Sequence, residues 1–150
     1  PTFTSKDDCR ITPIGNLLRI FKIDELPQFI NVLQGDMSIV GPRPEDVGVV
    51  SNIFTSKQMR IFSVKPGITS EVVIKFFPDY SYYMPKVESP EKFYQEALLK
   101  NRLQEDLKYI DSMSFLLDLK IIYQTIICIF IKSWIFLWKR YFRSNYNKLI

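Results

Sequence analysis

From Ile121 to Trp138 the chain is apolar except at Gln124, Thr125, Lys132 and Ser133, and a segment of that kind must find either protein or lipid to cover it. As a helix it rises roughly 27 Å at about 1.5 Å per residue, slightly short of a bilayer core of about 30 Å. Asp118, Thr125, Lys132 and Lys139 recur every seventh residue, so on a helix they form one narrow polar strip. A lysine held in the middle of a lipid-exposed span costs about 2.5–3.5 kcal/mol. Residues 114–143 are therefore read first as a membrane-associated helix, lying in the interface or packed on protein. In that reading Lys132 faces headgroups, with Trp134 and Trp138 at the boundary. A tilted span and an ordinary core helix remain open alternatives. Lys132, Lys139, Arg140, Arg143 and Lys148 leave the C-terminal end basic and free of carboxylates, and they account for the net charge of +4. Basic residues beside so apolar a segment suit anionic lipid as a partner better than nucleic acid.

The rest of the composition narrows the chemistry. At 150 residues and 17.7 kDa the chain makes a single domain, 1–150, with a modest core. It has no histidine, which removes serine triads, cysteine–histidine pairs and most zinc sites. Cys9 and Cys128 lie far apart and give neither a disulfide framework nor a metal cluster, which fits a reducing, cytosolic setting. The sequence opens at Pro1 with neither methionine nor a signal peptide, so it reads as part of a longer protein.

Local signals suggest an α-rich α/β fold, small and irregular, with short strands and amphipathic membrane-interfacial helices. Residues 1–11 are polar and loose. Thr12-Pro13 caps and opens a helix whose apolar face is Ile14, Leu17, Leu18 and Phe21. A second helix is expected from Glu25 to Gln34, with Asp24 as N-cap, Pro27 in the first turn and Gly35 as the stop. Leu26, Phe29, Ile30 and Leu33 then form its packed stripe, with Asp24 and Glu25 off it. Met37 to Val40 is extended, Ser56 to Phe62 helical, and Lys65-Pro66-Gly67-Ile68-Thr69 a turn. Glu71 to Phe77, rich in valine and isoleucine, is expected as a strand. Pro78 to Ser89 reads as a loop. Ser89-Pro90 opens a helix to Ile110 with Lys92, Glu96, Lys100 and Gln104 on its exposed side.

Asp24-Glu25 is the candidate site. An acid before an apolar run is most often only a cap, contributing about 1 kcal/mol. A helix start nevertheless favours the ionised carboxylate, keeping it ready as nucleophile or metal ligand. Two adjacent acids repel, and Mg²⁺ would relieve that repulsion while neutralising phosphate oxygens. Arg19 lies upstream. Arg43 stands between Pro42 and Pro44, where fixed φ angles lower the entropy lost when its planar fork takes a phosphate. Lys65 is a weaker candidate for the same task. Phe76, Phe77, Tyr80, Tyr82 and Tyr83 could stack a base or sugar, although packing is the commoner role of such a set.

These residues carry a resemblance. Arg19, Asp24-Glu25-Leu26-Pro27-Gln28, Asn31, Gly35-Asp36-Met37-Ser38 and Gly41-Pro42-Arg43-Pro44 closely resemble the bacterial sugar transferases, the monotopic polyprenol-phosphate phosphoglycosyl transferases. Asp8 to Gly15, Lys65 to Thr69 and Asp106 to Lys120 are also similar to that family. The resemblance implies transfer of a phosphosugar from a nucleotide diphosphosugar, usually a UDP-sugar, to a polyprenol phosphate such as undecaprenyl phosphate. That reaction initiates exopolysaccharide, capsule or glycan assembly at the cytoplasmic face of the bacterial inner membrane. It implies Asp24 as the nucleophile that takes up the phosphosugar and Glu25 as its metal-site or acid–base partner. Mg²⁺ would be held by Asp24 and Glu25, with Arg19, Arg43 and Lys65 on phosphoryl oxygens. The chain departs from the family in Lys65, where an arginine is usual, and in Ser70, where a glycine is usual. The re-entrant helix and basic segment that precede the first motif in the family are not in this sequence, so little turnover is expected from this chain by itself. A catalytically inactive membrane-associated fragment or partner-binding remnant is the alternative, and a soluble helical binding module a third.

Overall fold

The computed structural model describes residues 11–45, 48, 50, 54–76 and 98–146. Helix α1 spans Pro13–Ile20, with Pro13 in its first turn and the Thr12 hydroxyl accepting from Gly15 N at 3.0 Å, as the Thr-Pro pair foretold. The chain leaves α1 through Lys22, whose φ of 57° is left-handed, and winds into a 3₁₀ turn, Ile23–Glu25.

Here the expected helix from Glu25 to Gln34 is corrected. Helix α2 covers only Gln28–Gln34, and Asp24 caps nothing: the residue before α2 is Pro27, and it makes no side-chain capping bond. Pro27 has no N–H to offer the helical ladder. The peptides before it close as tighter turns instead, Glu25 N to Lys22 O at 3.3 Å and Leu26 N to Ile23 O at 3.2 Å. Gly35 ends α2 at φ 86°, as expected of a glycine stop. The apolar stripe, however, is not packed. No residue of α2 is buried, and Leu33 is 88 % exposed.

Strand β1 (Ser38–Val40) pairs in parallel with β2 (Gly67–Thr69), Ser38 opposite Gly67 and Val40 opposite Thr69. The segment read as a turn at Lys65 to Thr69 is thus half strand. Gly41 crosses Gly67 so closely that a Cβ on Gly67 would lie 2.1 Å from Gly41 N and 2.6 Å from its Cα. The helix expected from Ser56 to Phe62 forms as a 3₁₀ segment, Gln58–Ser63.

The strand expected from Glu71 to Phe77 is a helix, α3, spanning Glu71–Lys75. The Ser70 hydroxyl accepts from Val73 N at 3.2 Å, and this cap, with Val72 and Val73 buried, outweighs a weak β preference. Ser70 itself has φ −159°, ordinary extended backbone that needs no glycine.

Helix α4 runs Leu99–Ser112, with Lys100 and Gln104 outward as expected. Its expected opening at Ser89-Pro90, the loop at Pro78 to Ser89 and the loose start at residues 1–10 lie outside the described residues. Helix α5, Phe115–Tyr146, follows at once, the Ser114 hydroxyl accepting from Leu117 N. Two small apolar clusters hold these elements together. Ile61, Val72, Leu99 and Leu103 join α3, α4 and the 3₁₀ segment. Val40, Tyr109 and Ile121 join β1, α4 and α5.

The first two members of the heptad strip of α5 pack on protein, one of the two coverings expected for it. Asp118 accepts from Tyr109 Oη at 2.7 Å, and the Thr125 hydroxyl lies 2.6 Å from that of Thr69. These two members of the strip face the protein, as does Ser133, whose hydroxyl donates to Ile20 O at 2.9 Å; the side chain of Lys132 is outside the described residues. Apolar residues instead face out, with Phe115 and Leu116 at 77 %, Phe130 at 70 % and Trp134 at 68 % exposure. Among the described residues no helix is long and apolar enough to cross a membrane.

Candidate active site

The left-handed turn at Lys22 decides the site's local geometry. It reverses the chain after α1, so that the Lys22 ammonium returns onto the 3₁₀ turn and meets Glu25 Oε1 at 2.9 Å. Arg43, carried by the Pro-Arg-Pro loop after β1, brings Nη1 to the same oxygen at 3.4 Å. One carboxylate oxygen is thereby shared by two cations, and the Glu25 side chain is only 12 % exposed. An acid so held is fixed in place.

Asp24 is the contrast. It is exposed, and among the described residues its carboxylate enters no hydrogen bond or ion pair. Side by side, then, stand a clamped acid and an unengaged one. Arg19, in the last turn of α1, is half-buried, and its carbonyl accepts from Lys22 N at 3.2 Å, which ties it to the same turn. Lys65 is placed elsewhere. Its ammonium lies 3.5 Å from where a Gly35 Cβ would stand, and the residue lines a separate cavity with Ser38, Val40, Tyr109 and Met113. Phe76 packs against the first apolar cluster; Phe77, Tyr80, Tyr82 and Tyr83 lie outside the described residues.

The chemistry of the donor set fits Mg²⁺. The described residues contain no group of three or more acids or cysteines able to cage an ion, but magnesium is commonly held by one or two carboxylates together with substrate phosphates and water. Both Asp24 oxygens and Glu25 Oε2 are without protein partners among the described residues, which leaves hard oxygen ligands for that role.

Behind Arg43 lies a buried ionic network that sequence reasoning missed. Arg102 Nη2 donates to Arg43 O at 2.6 Å, Nη1 pairs with Glu45, and Nε stands 3.6 Å from Asp106 Oδ2. Arg102 is 3 % and Asp106 1 % exposed. Burial lowers the Arg102 guanidinium to about 10, against the pull of Asp106. Burial likewise pushes the Asp106 carboxyl up to about 6, although Arg102 opposes it. The network fastens the Pro-Arg-Pro loop to α4 and so sets where the Arg43 guanidinium can reach. An acid four residues after an arginine on a helix was its one local signal; the partner in the loop had none. Lys22 was missed for a similar reason, since nothing adjacent in sequence marks a lysine for left-handed backbone.

The surface around the dyad is apolar. A cavity of about 350 Å³ opens beside Lys22 and Glu25 between the 3₁₀ turn, α2, the two strands and α5. A smaller one of about 120 Å³ lies against Arg43 on the loop.

Known proteins resemble this chain over most of its length. Residues 2–132 match the family model described as bacterial sugar transferase. The uncharacterized sugar transferase EpsL of Bacillus subtilis is 38% identical over 120 residues, covering 80% of this chain and 50% of that protein. A UDP-glucose:undecaprenyl-phosphate glucose-1-phosphate transferase of Klebsiella pneumoniae is 40% identical over 124 residues, 81% of this chain and 24% of its own. The galactosyl transferase CpsE of Streptococcus agalactiae reaches 55% over 67 residues, 45% of this chain and 15% of that one. The chain spans half or less of the length of these relatives. With the family model running through the dyad, the Pro-Arg-Pro loop and most of α5, the chain belongs to the bacterial sugar transferases.

Proposed function

We propose that the chain carries the catalytic acids of a phosphoglycosyl transferase, moving a phosphosugar from a UDP-sugar to a polyprenol phosphate. The observation that carries this reading is the pairing of an exposed, unengaged Asp24 with a Glu25 held by Lys22 and Arg43. A carboxylate oxygen of Asp24 attacks the sugar-bearing phosphorus. The new O–P bond replaces the bond to the bridging oxygen, which departs with UMP. A phosphate oxygen of the lipid then attacks the same phosphorus, Asp24 is released as carboxylate, and a polyprenyl diphosphosugar forms. Arg43 and Arg19 bind the phosphoryl oxygens as negative charge builds in each transfer. Glu25 keeps Lys22 and Arg43 in place and, with Asp24, supplies the oxygens for Mg²⁺. That ion, when bound, would neutralise phosphate charge. Lys65 lines a different cavity and is left out of this cluster.

The outward apolar residues of α5, and those of α2, suit a bilayer surface better than water. We place the site at headgroup depth on the cytoplasmic face, where a soluble sugar nucleotide meets a lipid acceptor. Anionic lipid is the further partner.

The test is UMP release from UDP-sugars by the chain, and by a version extended to the length of its relatives, with Mg²⁺ and vesicles holding polyprenol phosphate. Asp24→Asn abolishes release and the covalent phosphosugar adduct while leaving the fold unchanged. Absence of release from a folded, extended wild-type protein would refute the reading and favour an inactive remnant.

A further inference from the structure

A helical hydroxyl ordinarily bonds back to the carbonyl four residues earlier. Ser112 does so on α4, donating to Lys108 O at 2.9 Å, and Thr125 on α5, donating to Ile121 O at 2.8 Å. Ser133 departs from this habit. Its hydroxyl reaches out of α5 and donates to Ile20 O at 2.9 Å, 113 residues away in sequence. Both residues are 1 % exposed. The family match ends at residue 132, so this donor lies just outside the matched stretch.

The acceptor sits at a decisive place. Ile20 is the last residue of α1, and the final carbonyls of a helix have no partner within it. Two of its neighbours are taken up locally, Leu17 O by Phe21 N and Arg19 O by Lys22 N, both at 3.2 Å. Ile20 O accepts from no backbone N–H outside its helix among the described residues, and its burial keeps bulk water away. The Ser133 hydroxyl satisfies it. Two residues on stands Lys22 at φ 57°, a conformation that a residue other than glycine keeps only where its surroundings fix it. The 3₁₀ turn with Asp24 and Glu25 follows at once. The ion pair of Lys22 with Glu25 lies inside this turn and travels with it, whereas Arg43 holds it from the loop. Ser133 fixes where the turn begins.

We infer that Ser133 is a positioning residue for the acid pair: from α5 it secures the end of α1 and so sets the direction in which Asp24 is presented. This deepens the function proposed above and rests on it for what Asp24 does; the support itself is measurable without turnover. Phe130 and Trp134, on either side of Ser133 along α5, are 70 and 68 % exposed. The helix thus holds the turn with its inner side while its outer side meets the surrounding medium. Bond formation depends on the aim of Asp24, but donor phosphates are taken by Arg43, whose loop is held separately by Arg102. Loss of the Ser133 hydroxyl therefore slows transfer more than it weakens donor binding.

The experiment uses Ser133→Ala, which removes one oxygen and leaves a good helix former, with Ser112→Ala as the control on a self-bonded hydroxyl. Amide hydrogen exchange, followed by NMR on the whole chain in detergent micelles, reads the turn through the bonded N–H groups of Lys22, Glu25 and Leu26. Exchange at these three should quicken about tenfold or more in Ser133→Ala. The amides of Leu103 and Tyr109 in α4 stay as in wild type, and Ser112→Ala leaves the turn unchanged. Ser133→Cys, a weaker donor of nearly the same shape, falls between serine and alanine. No change in the turn, or an equal change in α4, overturns the inference. In the UMP-release assay Ser133→Ala lowers kcat about tenfold or more and leaves KM for the UDP-sugar within about twofold. A wild-type kcat in Ser133→Ala overturns the inference and leaves the proposed reaction standing. A turn that loosens as expected in a protein that never releases UMP sustains the support and sinks the reaction.

Discussion

Replacing Arg102 with methionine tests whether the Pro-Arg-Pro loop is held from behind. Methionine keeps the length and apolar stem of the side chain, so packing between α4 and the loop changes little. What disappears is the donor to Arg43 O at 2.6 Å and the cation between Glu45 and Asp106. A hydrogen bond from a charged donor contributes about 1.5–3 kcal/mol, and stranding a buried partner costs about 3–5 kcal/mol. Asp106 already has its carboxyl raised to about 6, so it can take up a proton near neutral pH and soften that loss. Glu45, with its side chain 6 % exposed, bears most of it. With that softening the sum falls near the lower end of the added ranges, about 5 kcal/mol, a large part of the roughly 5–15 kcal/mol available to a domain. Urea unfolding followed by circular dichroism measures it. Adding Glu45→Gln to Arg102→Met should recover 1 kcal/mol or more by removing the stranded charge, a coupling that only a shared network produces. A loss under about 1 kcal/mol for Arg102→Met, or no recovery in the double variant, would refute the reasoning.

Gly67→Ala forces a methyl group onto the Gly41 backbone, 2.1 Å from its nitrogen; neither strand can yield without unpairing, so a fall in unfolding midpoint corresponding to at least 2–3 kcal/mol is expected, about the cost of overpacking. Ser70→Ala removes the cap of α3, bonded to Val73 N at 3.2 Å, and should cost about 1 kcal/mol in the same assay. Burial raises the Asp106 carboxyl from 3.8 to about 6, so the folded chain holds that proton more tightly than the unfolded one. Its contribution to stability is complete below about pH 4 and is lost as pH rises through about 6. Thermal unfolding of wild type and Asp106→Asn between pH 4 and 7 reads this as a difference that grows with pH in the variant's favour; a constant difference would contradict it.

Much of the local structure was legible in the chain. Thr12-Pro13 opens α1, Gly35 closes α2, and Ser114 starts α5 because caps and stops act within a few residues of themselves. The acid pair and the Pro-Arg-Pro loop were legible as candidates for the same reason. The misreadings have a common origin. Glu71 to Lys75 is rich in valine and isoleucine, yet Ser70 and the burial of Val72 and Val73 make it helical. The stripe on α2 has correct helical spacing, yet periodicity says only that one face is apolar, not which medium covers it.

What the amino-acid order determined by itself is therefore the start of α1, the stop of α2, the start of α5, the acidic dyad and an unusually apolar last helix. Tertiary structure decided that Asp118 and Thr125 turn inward while Phe115, Leu116, Phe130 and Trp134 of α5 turn out. It also decided that Lys22 and Arg43 converge on one oxygen of Glu25, and that Arg102, far along the chain in α4, anchors the loop carrying Arg43. Such pairings depend on where whole elements come to rest. That position follows from buried area and satisfied charge summed over the domain, to which no short stretch of sequence has access.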